Sequence, residues 1–145
     1  MENGYIVNVE GAIFKDGRYL LVVRGPGETH AAGMLSLVGG KVENAGESAD
    51  ILETTLRREI LEEVGVEIGA MQYVHSKSFG TANEPVVDVI FLCAFAGGEP
   101  RIVDPDEVAA IRWMSAQEVQ DDPDAPIWTK QDVQAAEMKR LKLGW

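Results

Sequence analysis

From residue 52 an apolar side chain recurs at every fourth position, as Leu52, Leu56, Ile60 and Val64. That spacing lays one buried stripe along an amphipathic helix. Ser48 is the expected N-cap, Asp50 suits the positive end of the helix dipole in the first turn, and Gly65 stands where a helix would terminate. Strand-like segments lie on both sides. Residues 6–14 alternate only loosely, Asp16-Gly17 is a hairpin turn signal, and residues 19–23 form an apolar run ending at Arg24. Residues 25–33 read as a loop, and 34–38 as a short strand that runs into a Gly39-Gly40 loop. Further strands are expected near 71–78, 85–96 and 109–114, with a closing helix over 131–141. Strands flanking one central helix predict an α+β or mixed α/β fold, not a helical bundle, with all 145 residues in a single domain.

Charge and hydropathy narrow the partners. The formal net charge is -11. Such a surface repels nucleic-acid phosphates and offers no basic stripe, so no DNA or RNA polymer is expected to bind. A small phosphorylated ligand is compatible only where cations screen the acidic site. No apolar run approaches the roughly 18 residues of a membrane span. The opening Met1-Glu2-Asn3-Gly4 lacks the basic and apolar regions of a secretory signal. The lone cysteine, Cys93, sits inside an apolar run and reads as a small buried residue. Together these features predict a soluble, cytoplasmic chain with no membrane partner.

The segment richest in chemistry is Arg58-Glu59-Ile60-Leu61-Glu62-Glu63-Val64-Gly65-Val66. At roughly 100 degrees per residue, Glu59 and Glu63 share one helix face and Glu62 lies beside them. Like charges one turn apart destabilise a helix by a few tenths of a kcal/mol. Arg58 can offset this by pairing with Glu62 one turn on. A hard cation can do the same, because Mg²⁺ and Mn²⁺ prefer several carboxylate and water oxygens. A solvated, salt-bridged helix face has the same spacing, so periodicity alone leaves both readings open.

Residues 39–66 resemble the signature of the Nudix hydrolase family, of which MutT-like proteins are members. Arg58 to Val66 matches its Arg-Glu-aliphatic-x-Glu-Glu-x-Gly-aliphatic half, and Gly39-Gly40-Lys41-Val42-Glu43 with Gly46-Glu47-Ser48 resembles its first half. Ten residues separate Glu47 from Arg58, about one helical turn more than the family pattern, so either Glu47 or Asp50 can stand for the first glutamate. Val38 stands where relatives commonly have proline. Residues 20–24 look like the family's second hairpin strand, and Asp106-Glu107-Val108 like its late acidic turn.

The resemblance implies an α/β/α sandwich around a mixed sheet, with the signature as a loop–helix–loop. It implies metal-dependent cleavage of a diphosphate linkage in a nucleoside diphosphate joined to another moiety, such as a nucleoside triphosphate or nucleotide sugar. Glu59, Glu62 and Glu63, with the carbonyl of Gly40, are the expected ligands of Mg²⁺ or Mn²⁺. Glu62 is either a ligand or the water-activating base, and Arg58 orients the carboxylates. Arg24 and Lys41 are candidates to reach substrate phosphates, against the alternatives of a surface ion pair and a solvated lysine. Glu43 is a candidate extra ligand, and Glu84 in the 79–84 loop a candidate base. Trp128 either stacks on a base or packs the final helix against the sheet, with packing favoured. His30 and His75 have no metal-ligand spacing and read as loop and strand decoration. The expected partner is a small, nucleotide-like phosphorylated molecule, and homodimers are common among proteins of this resemblance. Two other functions share the fold: a non-catalytic nucleotide-sensing module and a prenyl-diphosphate isomerase. The intact glutamates argue against the first, and the buried setting of Cys93 against the second.

Overall fold

The computed structural model describes residues 4–145; Met1, Glu2 and Asn3, part of the segment read against a signal sequence, lie outside it. The chain runs β1 (Ile6–Lys15), β2 (Arg18–Arg24), β3 (Leu35–Ser36), β4 (Val38–Lys41), α1 (Ile51–Val64), β5 (Glu67–Gly80), β6 (Pro85–Gly97), β7 (Val108–Met114), α2 (Ala116–Asp121) and α3 (Ile127–Leu143). The strands form one mixed sheet in the order β3-β2-β1-β6-β5, with β4 on β1 and β7 on β2. Only β1 and β6 run parallel among these pairs. The expected β1–β2 hairpin turns on Asp16 and Gly17, both at positive φ (49° and 80°), as a tight turn between twisted strands requires.

Helices cover both sheet faces, which gives the α/β/α sandwich. One core joins Leu56, Ile60 and Val64 of α1 to Val9, Ile13, Leu20 and Val22 of the sheet. The other joins Tyr19, Leu21, Ile90 and Leu92 to Val119 of α2 and to Val133 and Ala136 of α3. Successive residues of β2 and β6 therefore enter opposite cores. This double burial is why those strands read as apolar runs and not as clean alternation. Cys93 is fully buried, as expected, and its thiol is pushed up to about 12 by that burial.

Several boundaries differ from expectation. Gly39 and Gly40 belong to β4, paired with Glu10 and Val9, and not to a loop. Ser48 is not the N-cap of α1. Asp50 occupies that position in a left-handed conformation (φ 53°) that makes no side-chain cap bond. Capping needs an extended backbone to aim the side chain at the helix N–H groups, which Asp50 lacks. Gly65 does cap the other end at φ 71°, its N–H donating to the Leu61 carbonyl. Helix α3 starts at Ile127, four residues before the expected 131, because exposed Ile127 and Trp128 carry no core periodicity. Helix α2 was not anticipated, although Ser115 and Glu118 form a reciprocal capping box.

Candidate active site

The first half of β1 pairs with β4 (Asn8 to Gly11) and its second half with β2 (Ile13 to Lys15). At this parting of the sheet lies a cavity of about 290 Å³, bordered by Arg24, Glu28, Gly40, Lys41, Glu59, Glu63 and Glu107 among others. The stripe Leu56–Ile60–Val64, anchored in the core, turns the adjacent face of α1 towards this cavity. Arg57 fixes the same helix to β5 by donating to the carbonyls of Ile68 and Gly69. Gly40 permits the close approach of helix and strand. A Cβ there would lie 2.5 Å from the carboxyl carbon of Glu59, closer than real side chains come.

Glu59 and Glu63 thus meet Gly40, Lys41 and Arg24 around one cavity, while Glu62 is exposed on the adjoining helix surface and does not border it. Burial pushes the Glu63 carboxyl up to about 7; repulsion from Glu107, Glu59 and Glu28 adds to this, and Arg24 opposes it. Burial likewise raises Glu59, with Arg58 opposing and Glu62, Glu43 and Glu107 adding. Carboxylates so crowded and half-buried form a negative pocket with more oxygen ligands than internal cations, which suits a hard divalent ion. The donor set and the cradle at Gly40 fit such an ion.

Other expected residues are arranged differently. Arg58 does not pair with Glu62; its Nη2 lies 3.6 Å from Oε1 of the adjacent Glu59, in an exposed contact. Arg24 does make the ion pair weighed for it, with Glu28 at 2.9 Å, and its Nε donates to the His30 carbonyl, yet it still borders the cavity. Glu43, Glu47 and Asp50 are exposed and outside the cavity. The Glu84 N–H closes the β5–β6 turn onto Thr81, and Glu84 borders a separate depression. Trp128 is 41% exposed and stacks on His30, with centroids 6.3 Å apart, instead of packing α3 onto the sheet. Val133 and Ala136 do that packing.

Sequence reasoning missed Glu28, Asn8 and Glu10, and noted Glu107 only as part of an acidic turn. Pairing of β2 with β7 brings Glu107 to the site, where its carbonyl accepts from the Gly25 N–H. A signal for Asn8 and Glu10 was present, since both are polar positions in an otherwise apolar strand. Together they border the first cavity and a second of about 210 Å³ on the α3 side of the sheet, with Asp88, Lys77, Phe79 and Trp128. Below it, Glu10, Asp88 and Asp132 carry the three carboxylates whose oxygens lie within 4.8 Å of one another. Lys77 Nζ donates to both Asp132 oxygens (2.8 and 2.7 Å), His75 Nε2 lies 2.8 Å from Oδ1, and Asn8 donates to Asp88 at 3.0 Å. His75 is thus a structural partner of Asp132 and not mere decoration. Glu10 is held well above the usual carboxylate range by burial and by its hydrogen bond to Asp88.

No helix among the described residues is long and apolar enough to cross a membrane. The model of the NUDIX domain matches residues 5–133. The NAD-capped RNA hydrolase NudC of Pseudomonas putida is 36% identical over 103 residues, covering 71% of this chain but only 34% of that protein. The chain therefore spans about a third of the length of this curated relative. The crystal structure of a MutT NUDIX hydrolase from Burkholderia pseudomallei superposes with a TM-score of 0.76 at 27% identity, covering 92% of this chain and 98% of that one. The NUDIX domain of Shewanella oneidensis NrtR, solved with ADP ribose, has the same fold at a TM-score of 0.72 and 22% identity, with 97% and 90% covered. With the family model over most of its length and the signature helix at its cavity, this chain belongs to the NUDIX family.

Proposed function

We propose that the protein hydrolyses a diphosphate linkage in a nucleoside diphosphate joined to a second moiety, using a divalent cation. The observation that carries this reading is the cavity where Glu59 and Glu63, crowded by Glu28 and Glu107, meet Gly40 on one side and Arg24 and Lys41 on the other. Such a pocket takes cations before it takes phosphate. Glu59, Glu63 and the Gly40 carbonyl would hold Mg²⁺ or Mn²⁺, with Glu62, exposed beside the cavity and within electrostatic reach of Glu59, a third ligand or the base that accepts a proton from the attacking water. When bound, the ion neutralises charge on the phosphate oxygens, the principal need of this chemistry. Arg58 orients the neighbouring Glu59 carboxylate. Arg24 and Lys41 bind the phosphates and hold them in line for attack. The NudC relative is named an NAD-capped RNA hydrolase and the NrtR domain was solved with ADP ribose; NAD and ADP ribose both contain a nucleoside diphosphate joined to a second moiety, which favours that linkage here too.

The test is a phosphate-release screen with Mg²⁺ over nucleoside triphosphates, nucleotide sugars, ADP-ribose and dinucleoside polyphosphates. Turnover of one group, abolished in Glu62→Gln, supports both the reaction and the role of Glu62. Near-normal turnover in that variant removes Glu62 from the mechanism. Nucleotide binding with no turnover would overturn the enzyme reading in favour of a sensing module.

A further inference from the structure

Arg24 borders both cavities and is well placed to meet a phosphate, yet its guanidinium is already engaged. Nη2 lies 2.9 Å from Oε2 of Glu28, and Nε donates to the His30 carbonyl at 2.8 Å. Both partners come from the loop that follows β2. The first half of that loop is zipped to the turn before β7, where the Gly25 N–H donates to the Glu107 carbonyl and the Gly27 N–H to that of Asp106. A Cβ on Gly25 or on Gly27 would run into the Asp106 carbonyl, so glycine is what permits the apposition. Glu28 follows directly and is turned back by its N–H onto the Gly25 carbonyl, with its side chain at the glutamate-lined cavity. It thus offers Arg24 what a phosphate would offer, an anionic oxygen at hydrogen-bond distance.

We propose that Glu28 is an internal stand-in for a substrate phosphate, a latch that occupies Arg24 until a diphosphate displaces it. That Arg24 receives a phosphate rests on the hydrolase reading; the ion pair that blocks it does not. Arg24 keeps its place without Glu28, which makes the pair a latch and not a brace. Its N–H donates to the Met34 carbonyl, its own carbonyl accepts from the Gly33 N–H, and His30 holds Nε. The pair is also open to water, with side chains 29% and 28% exposed, so breaking it strands no buried charge. The consequence is selection by charge. A ligand with a single negative charge exchanges like for like with Glu28 and gains little. A diphosphate brings at least two charges, and oxygens from both phosphoryl groups can meet the planar guanidinium. The apparent affinity of every anion is lowered by the fraction of time the latch is closed, and only a strongly charged one overcomes it.

Calorimetric titration of the full chain with methylenediphosphonate, a diphosphate mimic that cannot be hydrolysed, tests this at Mg²⁺ high enough that doubling it changes nothing. Glu28→Gln, an isosteric change on a loop, is expected to bind the probe about fivefold more tightly, the value of a half-exposed ion pair that no longer has to be broken. Arg24→Ala is expected to bind it about tenfold more weakly. With Arg24→Ala already in place, Glu28→Gln should change affinity by less than about twofold, because the latch then has nothing to hold. A merely structural role for Glu28 would give weaker binding on its loss. Weaker or unchanged binding in Glu28→Gln, beside the expected loss in Arg24→Ala, would overturn the latch and leave the hydrolase reading standing. Equal tightening with and without Arg24 would also overturn it, since Glu28 would then act through its charge on the whole cavity. Undiminished binding in Arg24→Ala would remove the phosphate role of Arg24 from the hydrolase reading, and the latch with it.

Discussion

The protein has two carboxylate clusters at adjoining cavities, and they are built on opposite plans. Around Asp132 each acid has an internal partner: Lys77 and His75 grip Asp132, Asn8 holds Asp88, and Glu10 shares a hydrogen bond with Asp88. Around Glu63 the acids mostly face one another, with Arg24 already taken by Glu28 and Arg58 in an exposed contact at 3.6 Å. Close packing of carboxylates is thus not in itself a sign of a metal site. The tighter cluster is neutralised from within and ties α3 to β5. The looser one has more carboxylates than Arg24 and Lys41 can offset and is the one that suits an external cation.

If this contrast is right, neutralising either cluster has a different consequence. The largest effect is expected in Glu63→Gln and Glu59→Gln. Each should lower turnover of the substrate found in the screen by about a hundredfold or more while leaving the fold unchanged, as loss of a group that stabilises developing charge does. Circular dichroism and steady-state kinetics on the same preparations would check this; full activity would break the contrast. Next in size is Asp132→Ala, which takes away the shared partner of Lys77 and His75. Removing one member of a buried pair costs about 3–5 kcal/mol, and the partial exposure of Lys77 and His75 puts this site near the lower end. Urea unfolding measures it, and a loss below about 1 kcal/mol would mean that the cluster is not a structural clasp.

Much of the looser cluster was legible in the sequence because helical periodicity is local. The apolar period of four fixed which face of α1 is buried, and so which face carries Glu59 and Glu63. Its cation pairing was not legible, since Arg58 could reach either Glu62 or Glu59 and only side-chain packing decides. The tighter cluster was invisible for a different reason. Its acids come from β1, β6 and α3 and its bases from β5, so they meet only through sheet register, which no single segment encodes. Glu107 illustrates the intermediate case. It was noticed as part of an acidic turn, but the pairing of β2 with β7 had to be seen to bring it to the site. The same dependence on non-local pairing hid Gly39 and Gly40 in a strand, where glycines are ordinarily disfavoured, because Gly40 allows the approach of Glu59 and Gly39 that of Val9 and Glu10 on β1.

The smallest effect sharpens the contrast through pH. The Glu63 carboxyl titrates at about 7 in the folded protein, against an ordinary value of 4.5. The folded state therefore binds this proton more tightly than the unfolded chain. Stability of the metal-free protein must then fall as pH rises from about 4.5 to about 7, and level off above. Glu59 and Glu10 are raised as well and act in the same direction. Glu118 and Glu137 are lowered, so they titrate below this window and do not oppose it. Allowing for the partial exposure of the site, the change is on the order of 1 kcal/mol, or a few degrees in Tm. Thermal melts in EDTA should accordingly give a higher Tm at pH 5.5 than at pH 8, and Glu63→Gln should reduce the slope. Saturating Mg²⁺ should raise Tm most at pH 8, because ion and proton compete for the same carboxylates. A flat profile in EDTA, or a rise in Tm with Mg²⁺ that survives Glu63→Gln undiminished, would locate the uncompensated charge elsewhere and remove the distinction between the two clusters.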